Sequence, residues 1–201
     1  MNSVTSRVCV SLDGYTSAPH QSLENPFGEG GMRLPQWQLE SGQEGRAADA
    51  EILSRAGQGV GAYIMGRRMF GPGTGEWDEE WKGWWGPNPP YHVPVFVLSH
   101  HPREPLTMEG GTTFTFVTDG IESALEQARR AAGDGKVAIA GGATTIRQYL
   151  AAGLIDELLL HIVPITLGAG ERLLEGVAGL ALDPVEVVAS PTVTHVRYRV
   201  T

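Results

Sequence analysis

The sequence predicts an α/β protein whose central, mostly parallel sheet is flanked by helices and finishes in antiparallel strands. Three observations carry this. Strand-like runs at residues 4–11, 62–65, 93–99 and 137–140 are bounded by turn residues and alternate with helical patterns, as parallel strands joined by crossover helices do. The last third changes habit, with strand-like runs at 154–165, 185–189 and 193–200, the last two joined by Ser190-Pro191-Thr192 as a hairpin. The length of 201 residues, 41% hydrophobic and 19% charged, suits one core of this size, so one domain over 1–201 is expected.

In order, the first strand at 4–11 stops at Leu12-Asp13-Gly14, and a Gly-, Pro- and Gln-rich stretch over 15–45 reads as irregular. A helix is expected over 46–56 with Ala50, Leu53 and Ala56 on its inner face, stopped by Gly57 and Gly59. The short run 62–65 is a buried strand, and 67–70 opens a short helix. Residues 71–92 hold Trp77, Trp81, Trp84 and Trp85 beside Pro87, Pro89 and Pro90, and a loop this long is often functional. Strands follow at 93–99 and 113–118. The helix at 121–132 has Ala124, Leu125, Ala128 and Ala132 at helical spacing, with Asp119 as its expected N-cap. After the strand 137–140 comes a helix over 144–152 with Gly153 just past its end. The strand-like stretch after 154 is apolar on both faces, which places it centrally or under an interface, and His161 within it reads as a core or interface histidine.

The net charge of −8 argues against nucleic acid and anionic membrane surfaces as partners. The first residues are polar with no signal-like apolar region, and no run reaches the roughly 18 apolar residues of a membrane span, so a cytoplasmic location is expected. A single cysteine excludes an internal disulfide framework and a thiolate metal cluster within one chain; Cys9, between Val8 and Val10, reads as a buried small hydrophobe.

Three strand ends carry phosphate-friendly residues. Ala140-Gly141-Gly142-Ala143-Thr144-Thr145 joins a strand to a helix, where glycines let a ligand approach the backbone and the helix offers free amides. The same pattern serves equally well as a tight packing turn. Gly66-Arg67-Arg68 follows the second strand and offers guanidinium groups, which otherwise read as a solvated surface. Ser99-His100-His101-Pro102-Arg103 follows the third, and its adjacent histidines point apart, so a metal site is not expected. One cofactor lying across the carboxyl edge of the sheet would use all three. Arg67, Arg68, His100, His101 and Arg103 would favour a 2′-phosphate, hence NADPH over NADH.

Read together, Ser11-Leu12-Asp13-Gly14-Tyr15, Met65-Gly66-Arg67-Arg68-Met69-Phe70, Ile139-Ala140-Gly141-Gly142, Leu154-Ile155-Asp156-Glu157-Leu158 and Pro164-Ile165-Thr166-Leu167-Gly168 resemble the dihydrofolate reductase-like superfamily. The nearer branch is the C-terminal reductase domain of riboflavin biosynthesis, over about residues 4 to 200. The resemblance implies a dihydrofolate reductase-like fold, NADPH as hydride donor, and a homodimer. It implies that Gly66, Arg67 and Arg68 form a cofactor loop, that Leu98, Ser99 and His100 lie on the adenosine side, and that Ala140 to Thr145 hold the pyrophosphate. It places Asp13 on the nicotinamide and substrate side. Ala140 departs from the riboflavin-type pattern, which has an acid just before the glycine pair. Asp49 is the counterpart candidate for the carboxylate on the first helix of dihydrofolate reductase, though Asp49 and Glu51 also fit a solvent-facing helix side.

These readings name Asp13 and Asp49 as catalytic candidates, with Asp13 equally able to cap the Leu12-Asp13-Gly14 turn, and Trp37, Trp81 and Trp85 as ring-stacking substrate contacts drawn from the aromatic residues of the two long loops, which otherwise pack those loops down or bury against a second subunit. The expected function is an NADPH-dependent reductase of a small pterin-like, flavin-like or other heteroaromatic compound. The alternatives are a non-catalytic flavin, pterin or nucleotide binder of the same fold, and a riboflavin-pathway pyrimidine reductase. Deamination is excluded, since the chain lacks the ligand pattern of a zinc deaminase.

Overall fold

A computed structural model describes residues 2–73 and 75–201. The elements run β1 (Val4–Ser11), β2 (Tyr15–Ser17), α1 (Gln36–Glu40), α2 (Ala47–Ser54), β3 (Val60–Gly66), α3 (Arg67–Phe70), β4 (Pro94–Leu98), β5 (Leu106–Thr107), β6 (Thr113–Val117), α4 (Ile121–Ala132), β7 (Lys136–Gly141), α5 (Ala143–Ala151), β8 (Glu157–Val163), β9 (Glu171–Arg172), β10 (Leu182–Ala189) and β11 (Thr194–Val200). Among the described residues, nine strands form one sheet in the order β10-β11-β8-β1-β7-β3-β4-β6-β5. The stretch from β8 to β6 is parallel, while β11 runs antiparallel to β8 and β10 to β11, with Val188 opposite His195. The fold is therefore the mostly parallel sheet with antiparallel C-terminal strands that the sequence predicts. β2 and β9 form a small separate ribbon, too short to show in the pattern of a sequence.

Alternation along the strands divides the sheet into two faces. Val4, Val8 and Val10 of β1, Ala62 and Ile64 of β3, and Val137 and Ile139 of β7 join the core under α4 and α5. There α4 presents Ala124, Leu125, Ala128 and Ala132, the face expected of it. Leu158, near the start of β8, is fully buried in this core, so its truncation to alanine would cost about 2–5 kcal/mol. The helix α5 ends as its Gly153 predicts. Gly153 adopts φ 65°, its N–H donates to Leu150 O at 3.0 Å, and Leu154 N–H donates to Tyr149 O at 2.9 Å. These two bonds satisfy carbonyls that the helix end would leave open.

The opposite face is covered at its two flanks. Phe70, Trp77, Trp81 and Trp85 pack with β3, β4 and β6 on one side. Leu34, Trp37, Val163 and Val193 close the other, beneath α1 and α2. The middle of this face is left open.

Two local expectations are corrected. α2 buries Asp49 and Ile52, whereas Ala50 and Ala56 face solvent, because the helix packs through a polar contact that periodicity of apolar residues does not register. Asp119 is not the N-cap of α4: Gly120 takes that position at φ 93°, and Asp119 instead accepts a bond from Thr118 Oγ1 at 3.4 Å. No helix among the described residues is long and apolar enough to cross a membrane.

Candidate functional site

Strands β3, β4 and β7 end side by side at Gly66, Leu98 and Gly141. A cleft of about 1680 Å³ runs along this carboxyl edge and over the open face of the sheet. Ligands of α/β sheets bind where parallel strands end, because loops diverge there and helix N-termini converge. The cleft wall includes Gly66, Arg67, Arg68, Leu98, Ser99, His100, Ala140, Gly141, Gly142, Ala143, Thr144 and Thr145. The three separate sequence segments thus converge on one concavity.

Close approach explains the glycines. A Cβ at Gly66 would lie 2.4 Å from Thr145 Oγ1, so the end of β3 and the first turn of α5 touch through a hydrogen atom alone. Gly141 adopts φ +128°, a conformation that side chains rarely take, and the Gly141–Gly142 peptide is cis. Gly142 occupies the N-cap of α5, with no side-chain cap among the described residues. The first-turn amides and the positive end of the helix dipole are therefore available to an anion in the cleft.

The basic groups are divided. The Arg67 guanidinium stacks on Trp77 at 3.7 Å, donates from Nε to Gly73 O and from Nη2 to Glu76 O, and keeps a buried Nη1 with no hydrogen-bond partner among the described residues. Arg68 reaches across the cleft mouth to Glu171 at 3.1 Å. Ser99 Oγ is engaged with its own loop, accepting from His101 N at 3.0 Å. The expectation that His101 and Arg103 meet a phosphate is corrected. His101 Nδ1 turns to Glu76 at 3.3 Å, and Arg103 is buried among Phe70, Trp77 and Phe116 and bonded to Glu79 O. Pro102 carries the chain off the sheet edge and into the tryptophan cluster, a turn that a list of basic residues does not encode.

The candidate acids lie behind the site. Asp13 accepts from Ser11 Oγ at 2.6 Å and from the N–H groups of Leu167 and Gly168, at 2.7 Å to the latter. These bonds, the Ser11 hydroxyl first, hold its carboxyl down at about 2. It ties the turn after β1 to the loop after β8. Asp49 is fully buried, and its Oδ1 lies 3.1 Å from His195 Nε2. Of the tryptophans, Trp85 lines the cleft, stacked near Phe114 with ring centroids 6.3 Å apart. Trp84 lines it too. Trp81 donates to Phe70 O and borders a separate small hollow, and Trp37 is buried at the flank of the open face against His161 and His195. Trp37 and Trp81 are thus wall supports, because their indole N–H groups are taken up inside the protein.

Sequence reasoning missed the open sheet face itself. Arg7 and Cys9 of β1, Tyr63 of β3, Ala138 of β7, and Leu159 and His161 of β8 line the cleft there. Arg7 Nη1 and His161 Nε2 are buried without hydrogen-bond partners among the described residues. Cys9 Sγ receives Trp37 Nε1 at 3.4 Å and Gln38 Nε2 at 3.3 Å, and burial pushes its thiol up, so it is a poor nucleophile. A charged residue in the middle of the predicted strand 4–11 was the available signal for Arg7.

Fold and cleft define the dihydrofolate reductase-like class. Within it, the chain belongs to the RibD C-terminal domain family, whose profile matches residues 2–196. A search of curated proteins gives no match. Among solved structures, a protein from Shewanella sp. PV-4 named for riboflavin biosynthesis is 24% identical, with 99% of both chains covered and a TM-score of 0.64. A pyrimidine reductase-like protein from Corynebacterium diphtheriae is 16% identical, covering 100% of this chain and 92% of the other, with a TM-score of 0.58. Dihydrofolate reductase from Enterococcus faecalis, in complex with NADP(H), is 14% identical over 99% and 96% of the two chains, with a TM-score of 0.57.

Proposed function

We propose that this chain is an NADPH-dependent oxidoreductase that reduces a small pterin-like, flavin-like or other heteroaromatic substrate. The observation that carries the reading is the convergence of Gly66–Arg68, Leu98–His100 and Ala140–Thr145 on one cleft at the carboxyl edge. The wall has the chemistry a dinucleotide phosphate needs: uncapped amides of α5, open space beside the exposed Gly142, and the unpartnered Nη1 of Arg67. Arg67 and Arg68 would meet the phosphate that distinguishes NADPH from NADH, Leu98 to His100 the adenosine, and Ala140 to Thr145 the pyrophosphate. When bound, NADPH supplies the hydride. The chain's part is to hold a flat acceptor ring over Ala138 and Ala140, beside Trp85, and to exclude water from it.

Family membership over residues 2–196 favours a riboflavin-pathway pyrimidine as one such heteroaromatic substrate, while Ala140 lacks the carboxylate that the resemblance would put there. We also propose that the chain is one domain, acts in the cytoplasm and pairs as a homodimer. Fluorescence titration of the tryptophans with NADPH and NADH tests the cofactor. Tighter binding of NADPH supports the reading, and equal affinity removes the role of the arginines. Loss of nicotinamide absorbance with pterin, flavin and pyrimidine acceptors then tests the chemistry, and tight binding without turnover identifies a non-catalytic binder.

A further inference from the structure

His161, His195 and Asp49 stand in a line that starts at the cleft and ends inside the protein. His161 belongs to the cleft wall and its Nε2 has no hydrogen-bond partner among the described residues. Its Nδ1 lies 2.7 Å from His195 Nδ1, and His195 Nε2 lies 3.1 Å from Asp49 Oδ1. Arg46 Nη1 stands 3.6 Å from Asp49 Oδ2, and Arg46 is itself held by Glu40 and Thr192 Oγ1. Trp37 packs against both imidazoles and fixes their planes, with ring centroids at 4.8 and 4.9 Å. On the same sheet face, one strand over from β8, Arg7 offers a buried and unpartnered Nη1.

The hydrogen bonds allow two proton arrangements. With Asp49 as carboxylate and both histidines neutral, His195 donates from Nε2 to Asp49, His161 donates from Nδ1 to His195, and His161 Nε2 is a bare acceptor. With one more proton, His195 is an imidazolium between Asp49 and His161, and His161 is neutral with its proton on Nε2. In neither arrangement does His161 carry the charge. That suits its surroundings, since burial, Arg7 and His195 depress it to about 2. In the second arrangement the added proton sits on His195, next to the carboxylate.

We infer that the open sheet face is the acceptor pocket, taking a flat ring with a carbonyl or acidic oxygen at Arg7, and that His161 delivers to that ring a proton held by His195 and Asp49. This rests on the reductase reading above. For a C=N acceptor the balance is complete. The electron pair reaches carbon as hydride from a reduced nicotinamide, which is oxidised, and the C=N π bond breaks. The acceptor nitrogen gains the proton of His161 Nε2. His161 Nδ1 takes the proton of His195 Nδ1, His195 becomes neutral, and solvent later restores one proton. His161 is the catalytic residue; His195 and Asp49 are positioning residues. Tyr63 and Cys9, the other titratable groups facing Arg7, stay protonated, since burial raises both.

The test uses the full chain with ¹⁵N-labelled histidine. As pH falls, His161 should change from the Nδ1–H to the Nε2–H tautomer without becoming an imidazolium, while His195 becomes one. Asp49→Asn and His195→Gln should each abolish the change. A fixed His161 tautomer across the titration, in the unaltered chain, overturns the relay. Lumazine, a flat ring with carbonyl oxygens and N–H groups, is the probe for the pocket. Arg7→Met should weaken lumazine roughly tenfold or more and leave NADPH affinity within about twofold, the loss expected for a charged hydrogen bond. Absence of lumazine binding, or unchanged lumazine affinity in Arg7→Met, overturns the pocket assignment. Failure of NADPH itself to bind refutes the cofactor reading, a result distinct from the tautomer outcome.

Discussion

His161 and His195 meet Nδ1 to Nδ1 at 2.7 Å, each about 1% exposed. Two imidazolium rings cannot share that contact, because each would point a proton at the other. The pair accepts one proton at most, and Arg7 further opposes a second. In the unfolded chain each ring titrates near its ordinary value. The folded value of His161, about 2, lies below the ordinary imidazole value of 6.5, so its contribution to stability is complete above 6.5 and is lost as pH falls toward 2. The slope from one withheld proton is up to about 1.4 kcal/mol per pH unit. Urea denaturation between about pH 7 and about pH 5 measures it. His161→Gln should unfold more easily at neutral pH and show the shallower dependence; parallel profiles for the two proteins would refute the linkage.

Gly66→Ala sets a methyl group against Thr145 Oγ1, at 2.4 Å in the present geometry. The first turn of α5 must move away from β3, which costs about 1–3 kcal/mol by the usual measure of overpacking. The same turn carries the amides assigned to pyrophosphate, so NADPH affinity should fall with stability. Thr145 Cβ lies 3.7 Å from the added carbon, an ordinary contact. The double variant Gly66→Ala/Thr145→Ala should therefore recover the melting temperature, and a double variant no more stable than Gly66→Ala would count against the clash.

Arg103 is the internal support of the tryptophan loop. Its side chain is about 1% exposed, its Nη2 donates to Glu79 O at 2.9 Å, and its guanidinium faces Phe70, Trp77 and Phe116 at 5.3–5.7 Å. Trp77 in turn carries Arg67. Removing Arg103 as alanine leaves Glu79 O without its donor and a gap under the rings, together about 2–4 kcal/mol. Chemical denaturation should show that loss. NADPH titration should show a second effect, because Arg67 loses its platform. Arg103→Lys, which cannot match the planar contact, should fall between.

How much of this was legible in the sequence follows from the range of each interaction. β1, α3, α4 and the β10–β11 hairpin are set by neighbours in the chain, and their bounds were readable to within a residue or a few. The glycine and arginine turns that form the cleft edge were readable too, because each is a local strand end. Asp49 was singled out for the right helix but for a different reason: it bonds to His195, 146 residues away. No periodicity reports such a pairing. His161 reads in the sequence as a core or interface histidine, since its partner lies on β11 and its position opposite Cys9 depends on the parallel register of β1 and β8. His101 and Arg103 were grouped with the phosphate ligands by proximity in sequence, and the chain path after Ser99 separates them.

Glu171 holds two arginines at the mouth of the cleft. Arg68 Nη1 is 3.1 Å from its Oε1, and Arg147 Nη2 is 3.7 Å from its Oε2. Arg68 is 60% exposed, so solvent screens the pair and little stability depends on it, about 0–1 kcal/mol. The consequence is for binding. A phosphate on the ligand competes with Glu171 for Arg68, and the carboxylate also repels it. Glu171→Gln should leave the melting temperature nearly unchanged and tighten NADPH about two- to fivefold, with the gain shrinking as salt rises. NADH, which lacks the extra phosphate, should gain less. Equal gains for both nucleotides would place Arg68 on the shared pyrophosphate, and no gain for either would mean that Arg68 stays with Glu171 when the cofactor binds.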